Sequence, residues 1–485
     1  MDSLSANGLD SRINLDGPAD VTIKDLDTAF ISFVNNDVFV DEEAGSVTFN
    51  VYISNAIAVD VGFDLTTKDG TPPLPAGSGI ATDESLDDDY KFKTQSYTFT
   101  GTPDTDDVPS AQAFTVTITP DEKVELDELF NVFIDNLNAN GLDSRITLGA
   151  DATGIIRNND SAIITVDPVI SGGVNEGSGT GTTDITFNVN ISKAIDTNVS
   201  FFLSTQDNTA TVADNDYLPV LNQLYTFLGS PNSDVVPGQQ TFTVQIAQDK
   251  KVELDELFNV IVTNLNASGR NVTTGIAPAA QGTILNDDSA TVTINNVSKL
   301  ESEGNFVFTA TLSNPVDSNV SVEVYTQHGT GLITDSDYNA VDPLTPIILN
   351  FTPNGALTQN FTITVNDDNI VEGDEFFSTI LANLDAALRN VSIINGTDQG
   401  HIRDNDSAKL SITPVIDTEN HSPFQFLVQL SNPVDVAITV DASTIDGTAT
   451  SPNDYQGISG QTLTFGPGVT QVPLNITVFN DIFTE

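Results

Sequence analysis

Carboxylates recur in this chain at fixed spacings, in a pattern that suits a hard cation. The fullest set runs from residue 303 to residue 406. It comprises Glu303, Asp337 followed by Tyr338, the run Asp367-Asp368-x-x-x-Glu372-x-x-Glu375, and the closing pair Asp404 and Asp406. Calcium takes roughly six to eight oxygen ligands, drawn from carboxylates, backbone carbonyls and water. Five or more acids converging from separate loops repel one another when empty, and a bound divalent ion reverses that cost. Magnesium demands a tighter octahedron and keeps its waters, so a multi-carboxylate loop cluster suits it less well.

Two earlier stretches carry related sets. The first offers Glu42 or Glu43 (Glu43 taken as the candidate), Asp89, Glu125, Glu128 and Asp160. The second offers Glu176, Asp216, Glu253, Glu256, Asp287 and Asp288. Both depart from the third set. Pro120-Asp121 and Gln248-Asp249 stand where it has an Asp pair, and Lys123 and Lys250-Lys251 follow closely. An ammonium group competes with a metal ion for the same carboxylates, so weaker sites or fewer ions are expected there. A fourth set, Glu419, Asp454, Asp481 and Glu485, lacks a closing Asp cluster.

Several neighbours have plainer roles. Asp127, Asp255 and Asp374 read as solvated turn residues. Tyr90, Tyr217, Tyr338 and Tyr455 read as packing at the core edge. For the closing Asp residues, turn formation stands as an alternative to ligation, since Asp and Asn favour turns.

The elements that must position these acids are repeats of domain size. Lys123-Val124-Glu125-Leu126-Asp127-Glu128-Leu129-Phe130-Asn131-Val132 recurs unchanged at residues 251–260, and a looser copy runs from Ile370 to Phe376. A closing marker reads Asn158-Asn159-Asp160-Ser161-Ala162, then Asn286-Asp287-Asp288-Ser289-Ala290, then Asp404-Asn405-Asp406-Ser407-Ala408. The period is too long for a solenoid unit. Phe114-Thr115-Val116-Thr117-Ile118 alternates with period two, as do its counterparts at residues 242–246 and 361–365. Clusters of Gly, Pro, Asn and Asp punctuate such runs. About seven short strands per unit predict an all-β chain of tandem two-sheet β-sandwiches. The expected units are residues 29–160, 161–288 and 289–406, with an incomplete unit at 407–485 and the tail strands of a preceding repeat at 1–28.

Composition narrows the function classes. The chain has 485 residues and 39% hydrophobic content, enough for several sandwich cores. Asp and Glu number 68 against 16 Lys and Arg, a net charge of −52, so nucleic acid and anionic membrane surfaces are repelled. There is no cysteine, which excludes disulfides and thiolate metal sites. No apolar run is long enough for a transmembrane helix. The three histidines, His328, His401 and His421, do not recur at equivalent positions, and no Gly-x-Ser-x-Gly elbow, phosphate loop or His-Glu-x-x-His motif occurs. An enzyme is therefore not expected.

The landmarks resemble the Calx-beta family over nearly the whole chain. The resemblance rests on a Glu after the first strand, the Asp-Tyr pair, the Asp-Asp-x-x-x-Glu-x-x-Glu run and the closing Asp cluster, and the last two together are fairly specific. It implies an immunoglobulin-like fold and several calcium ions ligated at one end of each sandwich. It also points to an extracellular or cell-surface protein, a structural or adhesive stalk with a surface receptor as a partner. A calcium-sensing regulatory module, or the accessory region of a larger secreted enzyme, stands as the alternative.

Two features concern the array itself. The closing Asp residues sit where one unit becomes the next, with no Gly/Ser or Pro-rich linker, so calcium there is expected to stiffen the chain. The start, Met1-Asp2-Ser3-Leu4, lacks the regions of a signal peptide, so either one has been removed or the sequence is an internal piece. Residues 1–28 match a repeat tail, and the last unit stops short of one. Truncation of a longer array explains this, as does completion of one molecule's open sandwich by another, which gives head-to-tail filaments. Met1 aligns with Ile134, so exchange leaves the strand around Leu129–Phe133 without a donor.

Overall fold

In the computed structural model, residues 7, 12, 19–72, 74, 77–84, 87–275, 279–330 and 337–482 are described. Period-two alternation decides the layers. Along Thr182–Ile191, Ile185, Phe187, Val189 and Ile191 face inward and are buried. The same holds for Phe242, Val244 and Ile246 on Gln240–Ala247. Thr and Asn between them face solvent, so one face of each sheet is apolar and packs on the other sheet.

The second repeat shows the plan. One sheet has the order Gln240–Ala247, Thr182–Ile191, Ala162–Pro168, Val272–Thr274. The other has the order Val174–Asn175, Ala280–Leu285, Glu256–Asn266, Val199–Asp207, Gln223–Phe227. The first and third repeats share both orders, with Ser78–Ile80 added beside the long strand in the first. The chain is thus all-β, a tandem array of immunoglobulin-like two-sheet sandwiches. The fourth repeat has a three-stranded and a two-stranded sheet and, among the described residues, no counterpart of the long strand Glu256–Asn266. Residues 19–28 run without strand.

Each repeat has its own core, but the cores do not divide cleanly along the chain. Val124 lies in the core of the second repeat and Val252 in that of the third, both fully buried, while Val371 packs against that of the fourth. Each makes a short parallel bridge to the next repeat, with Ile195, Val316 and Val434. Burying a valine completely is worth roughly 1.5–3 kcal/mol. The repeats are therefore plugged into one another by the segment that carries the first Glu of the acidic run. No helix among the described residues is long and apolar enough to cross a membrane.

Candidate metal centre

Strand direction brings the acids to one end of each sandwich. In the first repeat Asp37–Asp41 runs parallel to Ala152–Arg157, so Glu42 and Asp160 emerge at the same end. Asp127–Asn138 runs antiparallel to the latter, so its start, just after Glu125, lies there too. Ser46 pairs with Thr117, which sets the exit toward Asp121 beside the turn Glu42–Ala44.

An aromatic stack places the mid-repeat Asp. Gly154 lies over Phe130, where an added Cβ would come within 2.3 Å of the ring. Tyr90 stacks on Phe130 with centroids 4.6 Å apart, and its hydroxyl donates to Asp69 Oδ1 at 2.8 Å. Its neighbour Asp89 then turns toward the acids, and Asp89 Oδ2 accepts the Thr82 N–H at 2.6 Å. The second repeat copies this with Gly282, Phe258, Tyr217, Asp207, Asp216 and Thr211. The third uses Gly400, Phe377 and Tyr338, with His328 in place of the Asp that meets the Tyr hydroxyl.

The carboxylates converge in groups whose oxygens lie within 4.8 Å of one another. In the first repeat these are Glu42, Asp121 and Asp160, and Asp89, Glu125 and Glu128. In the second they are Glu176, Asp249 and Glu253; Glu176, Asp287 and Asp288; and Asp216, Glu253 and Glu256. In the third, the charges of Asp368, Asp404 and Asp406 act on Glu301, and those of Asp337, Asp368 and Glu301 act on Glu372. Burial, reinforced by these neighbours, pushes Glu176 up to about 8 and Glu42, Glu301 and Glu372 up to about 7. Four oxygens in these groups, Asp160 Oδ2, Glu176 Oε1, Asp288 Oδ2 and Glu301 Oε1, are buried without a hydrogen-bond partner. A buried oxygen in that state is costly, and a cation among several of them satisfies it. The all-oxygen donor set fits calcium.

Lysines enter two of the three clusters. Lys123 Nζ lies 2.8 Å from Glu125 Oε1 and is 1% exposed. Lys251 pairs in the same way with Glu253 and lies 3.4 Å from Asp214. Burial still pushes Glu125 up to about 8 and Glu253 up to about 7, so the ammonium offsets only part of the repulsion. The third repeat has Ile370 at this place.

Position by position, the structure sorts the sequence candidates. Glu42, not Glu43, joins the first cluster, while Glu43 is exposed. Glu301, not Glu303, joins the third. Glu303 is exposed, and its Oε2 accepts the Leu300 N–H at 2.9 Å. The cause is the short helical turn at Glu42–Ala44 and Glu301–Glu303, whose first residue points inward and whose later ones point out. Glu128, Glu256 and Glu375 stand at one register, opposite Ile156, Ile284 and Ile402. Asp367 is exposed beside half-buried Asp368, and its charge helps to raise Asp406. Within the closing marker the roles divide. Asp404 accepts the Asp406 and Glu372 N–H groups, and Asn158 and Asn286 accept the matching ones at Asp160 and Glu253. Asn158, Asn286 and Asp404 thus build the turn, while Asp160, Asp287 and Asp288 join the carboxylate groups and the charges of Asp404 and Asp406 act on Glu301.

Asp121 and Asp249 join the clusters although neither belongs to an Asp-Asp pair in the sequence. They stand four residues before Glu125 and Glu253, as Asp368 stands before Glu372. All three also accept the N–H two residues on, each at 2.7 Å. Alignment on the Glu would have found them. In the fourth set Glu419 and Asp481 are exposed, Asp454 accepts the Thr450 N–H at 2.6 Å, and Glu485 lies outside the described residues.

A family model described as the Calx-beta domain matches residues 24–160, 171–298, 286–406 and 401–485. The chain belongs to the Calx-beta family. Its Calx-beta repeats are similar to Extracellular matrix protein 3 of Lytechinus variegatus, with 27% identity over 298 residues. That match covers 56% of this chain and 9% of the relative, so the chain spans a small part of that protein's length. Among solved structures, the apo-form Calx CBD1 domain is 25% identical, covering 24% of this chain and 100% of that one at a TM-score of 0.22. The calcium binding domain CBD12 of CALX1.1 is 14% identical, covering 53% of this chain and 99% of that one at a TM-score of 0.22.

Proposed function

We propose that this Calx-beta array is a non-enzymatic, calcium-binding stalk of the cell surface or extracellular matrix, stiffened where its repeats meet. The observation that carries the reading is the set of four buried, unpartnered carboxylate oxygens, Asp160 Oδ2, Glu176 Oε1, Asp288 Oδ2 and Glu301 Oε1. They lie in acidic groups at the ends of repeats whose next neighbours begin at once. In the first repeat Glu42, Asp89, Asp121, Glu125, Glu128 and Asp160 would hold calcium. In the second, Glu176, Asp216, Asp249, Glu253, Glu256, Asp287 and Asp288 would do so. In the third, the set is Glu301, Asp337, Asp367, Asp368, Glu372, Glu375, Asp404 and Asp406. Calcium supplies positive charge and a demand for many oxygens, and the chain supplies a preassembled cage whose repulsion the ion removes.

The extracellular setting is supported by the printed name of the matrix relative. Head-to-tail association and a surface receptor belong to the same reading. Small-angle scattering of the full chain tests it. Calcium should give a more extended and less variable particle than chelator, at concentrations where calorimetry shows binding. Superimposable profiles would contradict the stiffening, and a flat titration would contradict calcium binding itself. Sedimentation in calcium reads self-association separately, which should rise with concentration; a monomer throughout would remove it from the proposal.

A further inference from the structure

Charge is not spread evenly over the two sheets of a repeat. In each of the first three repeats one sheet is four-stranded, and it contains Ser46–Ile53, Thr182–Ile191 or Phe306–Leu312. In the twelve strands of these three sheets, Asp167 and Asp184 are the only charged residues, although 17% of the chain is charged. The opposite sheets carry Asp64, Lys68 and Asp135 in the first repeat, Asp207 in the second, and Glu323 and Asp385 in the third. The acid clusters lie at the ends of the sandwiches, away from the four-stranded face.

The outer surface of that sheet is neutral, and its polar groups are partly satisfied already. Phe49, Phe187 and Phe308 are buried, so the residues on either side of them point outward. The hydroxyls of Thr48 and Thr115 pair at 2.9 Å and those of Thr186 and Thr243 at 3.4 Å, while Thr309 Oγ1 donates to Asn360 Oδ1 at 2.9 Å. Groups that already hold a partner across the strands lose little when water leaves the surface. Apolar side chains stand among them. Phe30 is 43% exposed and meets the Tyr52 ring edge-on, with centroids 5.9 Å apart. Ile163 takes the place of Phe30 in the second repeat, and Val307 is exposed in the third. Depletion of charge around a few aromatic and aliphatic side chains is the makeup of an interface core.

We propose that this neutral face is where two copies of the chain meet side by side, sheet against sheet. The contact is lateral, distinct from the head-to-tail association named above, and it does not rest on the calcium reading. Each copy carries a net charge of −52, so charge selects the partner surface. Packed sheets lie about 10 Å apart, so this contact leaves the charged sheets of the two copies roughly 30 Å from each other. That is several Debye lengths at physiological salt, where one is about 8 Å. Contact through the opposite sheets or through the acidic ends sets like charges against each other. Identical neutral faces suit an isologous, two-fold contact. A face of four strands measures roughly 20 Å by 20 Å, so one pair of faces buries about 800 Å² in all. A stable interface needs about 1,200 Å² or more. Association therefore draws on the faces of more than one repeat.

Sedimentation equilibrium of the full chain in chelator tests this. One variant, Thr115→Glu with Thr243→Glu and Thr362→Glu, puts a charge on the neutral face of each repeat, at exposed positions. A second, Ser96→Glu with Leu224→Glu and Ile348→Glu, puts the same charge at exposed positions of the opposite sheets. The two variants have equal net charge. The unaltered chain should dimerise, and more tightly as salt rises, because screening weakens the remaining repulsion. The first variant should lose at least about 100-fold in dimerisation constant, since like charges then meet across the contact. The second should lose less than about fivefold. A monomer throughout would overturn the proposal, and so would a dimer that weakens with salt. A dimer that survives in the first variant, or equal losses in both, would also overturn it, the former assigning the contact to another surface and the latter to net charge alone. Thr115→Gln with Thr243→Gln and Thr362→Gln separates charge from damage to the strands. It should keep the dimer within about fivefold, and a loss as large as that of the Glu variant would overturn the charge argument.

Discussion

At the first joint Lys123 sits beside Glu125, while at the third Ile370 occupies the same place beside Glu372. Much of the surrounding frame is shared: a Gly-Phe-Tyr stack, a mid-repeat Asp, a turn built by Asn158 or Asp404, and a valine plug, though His328 replaces Asp69 at the Tyr hydroxyl and Asn432 stands in the place of Lys193. Glu125 is 8% exposed, while Glu372 is only half-buried. At this one position the carboxylate beside an ammonium lies deeper than the one without, although Glu42, Glu176 and Glu301 are buried with no ammonium beside them. Lys123 offsets part of the negative charge of the first cluster, and Ile370 supplies no such charge to the third.

The largest expected effect comes from removing the internal cation. Lys123→Met keeps the apolar stem but leaves Glu125 and its neighbours uncompensated. Breaking a buried pair costs about 3–5 kcal/mol, so in chelator the first repeat should melt markedly earlier, and calcium should restore much of the loss. Differential scanning calorimetry with and without calcium reads this. Unchanged melting in chelator would mean that Lys123 is not the cluster's counter-charge.

Supplying a cation to the third repeat should have the opposite consequence. In Ile370→Lys, an ammonium about 4 Å from a carboxylate gains about 4 kcal/mol at a dielectric constant of about 20, and desolvation offsets part of it. The tightest calcium affinity should fall about 10- to 100-fold, that is by roughly 1.4–2.8 kcal/mol. Calorimetric titration of the full chain reads it, and an unchanged isotherm would remove the basis of the contrast.

Acidity should act on both regions. Glu42, Glu125, Glu176, Glu253, Glu301 and Glu372 are raised above the usual carboxylate range, to between about 7 and 8. A carboxyl group whose folded pKa is raised destabilises the fold once ionised. The deficit is complete above the folded value and shrinks as pH falls through it toward the unfolded value. In chelator, melting temperature should therefore rise from pH 8 to pH 5.5, by on the order of 5 °C. Calcium should reverse the slope, because protons then compete with the ion. A chelated protein that loses stability over this range would contradict the placement of these acids. The smallest effect belongs to Glu303→Gln, which removes an exposed acid outside the cluster. Its calcium affinity should change less than about twofold, within the usual ±0.5 kcal/mol of a surface substitution.

Much of this was legible in the sequence. Period-two runs such as Phe242–Ile246 gave the sandwich, and the identical Lys-Val-Glu-Leu-Asp-Glu segments gave the repeat and flagged the lysine. What stayed hidden depended on local backbone geometry. Glu42 and Glu43 look equivalent in a string, and so do Glu301 and Glu303; a single helical turn sends one inward and the other out. Asp121 was masked by Pro120, which disguises the missing Asp as the missing pair. The valine plug was hidden because Val124 reads as one alternating residue of its own repeat, yet its partner, Ile195, belongs to the next. Lys193 was passed over because its partner, Asp160, is distant in sequence and sits in another repeat.

The contrast between Lys123 and Ile370 requires the third cluster to be the tightest calcium site. Calcium titration by calorimetry on the full chain, on Glu372→Gln and on Glu125→Gln measures this directly. Glu372→Gln should lose the tightest class of binding by at least about 10-fold, and Glu125→Gln should leave that class intact. The same isotherm for Glu372→Gln as for the unaltered chain, or an equal loss in both variants, would contradict it.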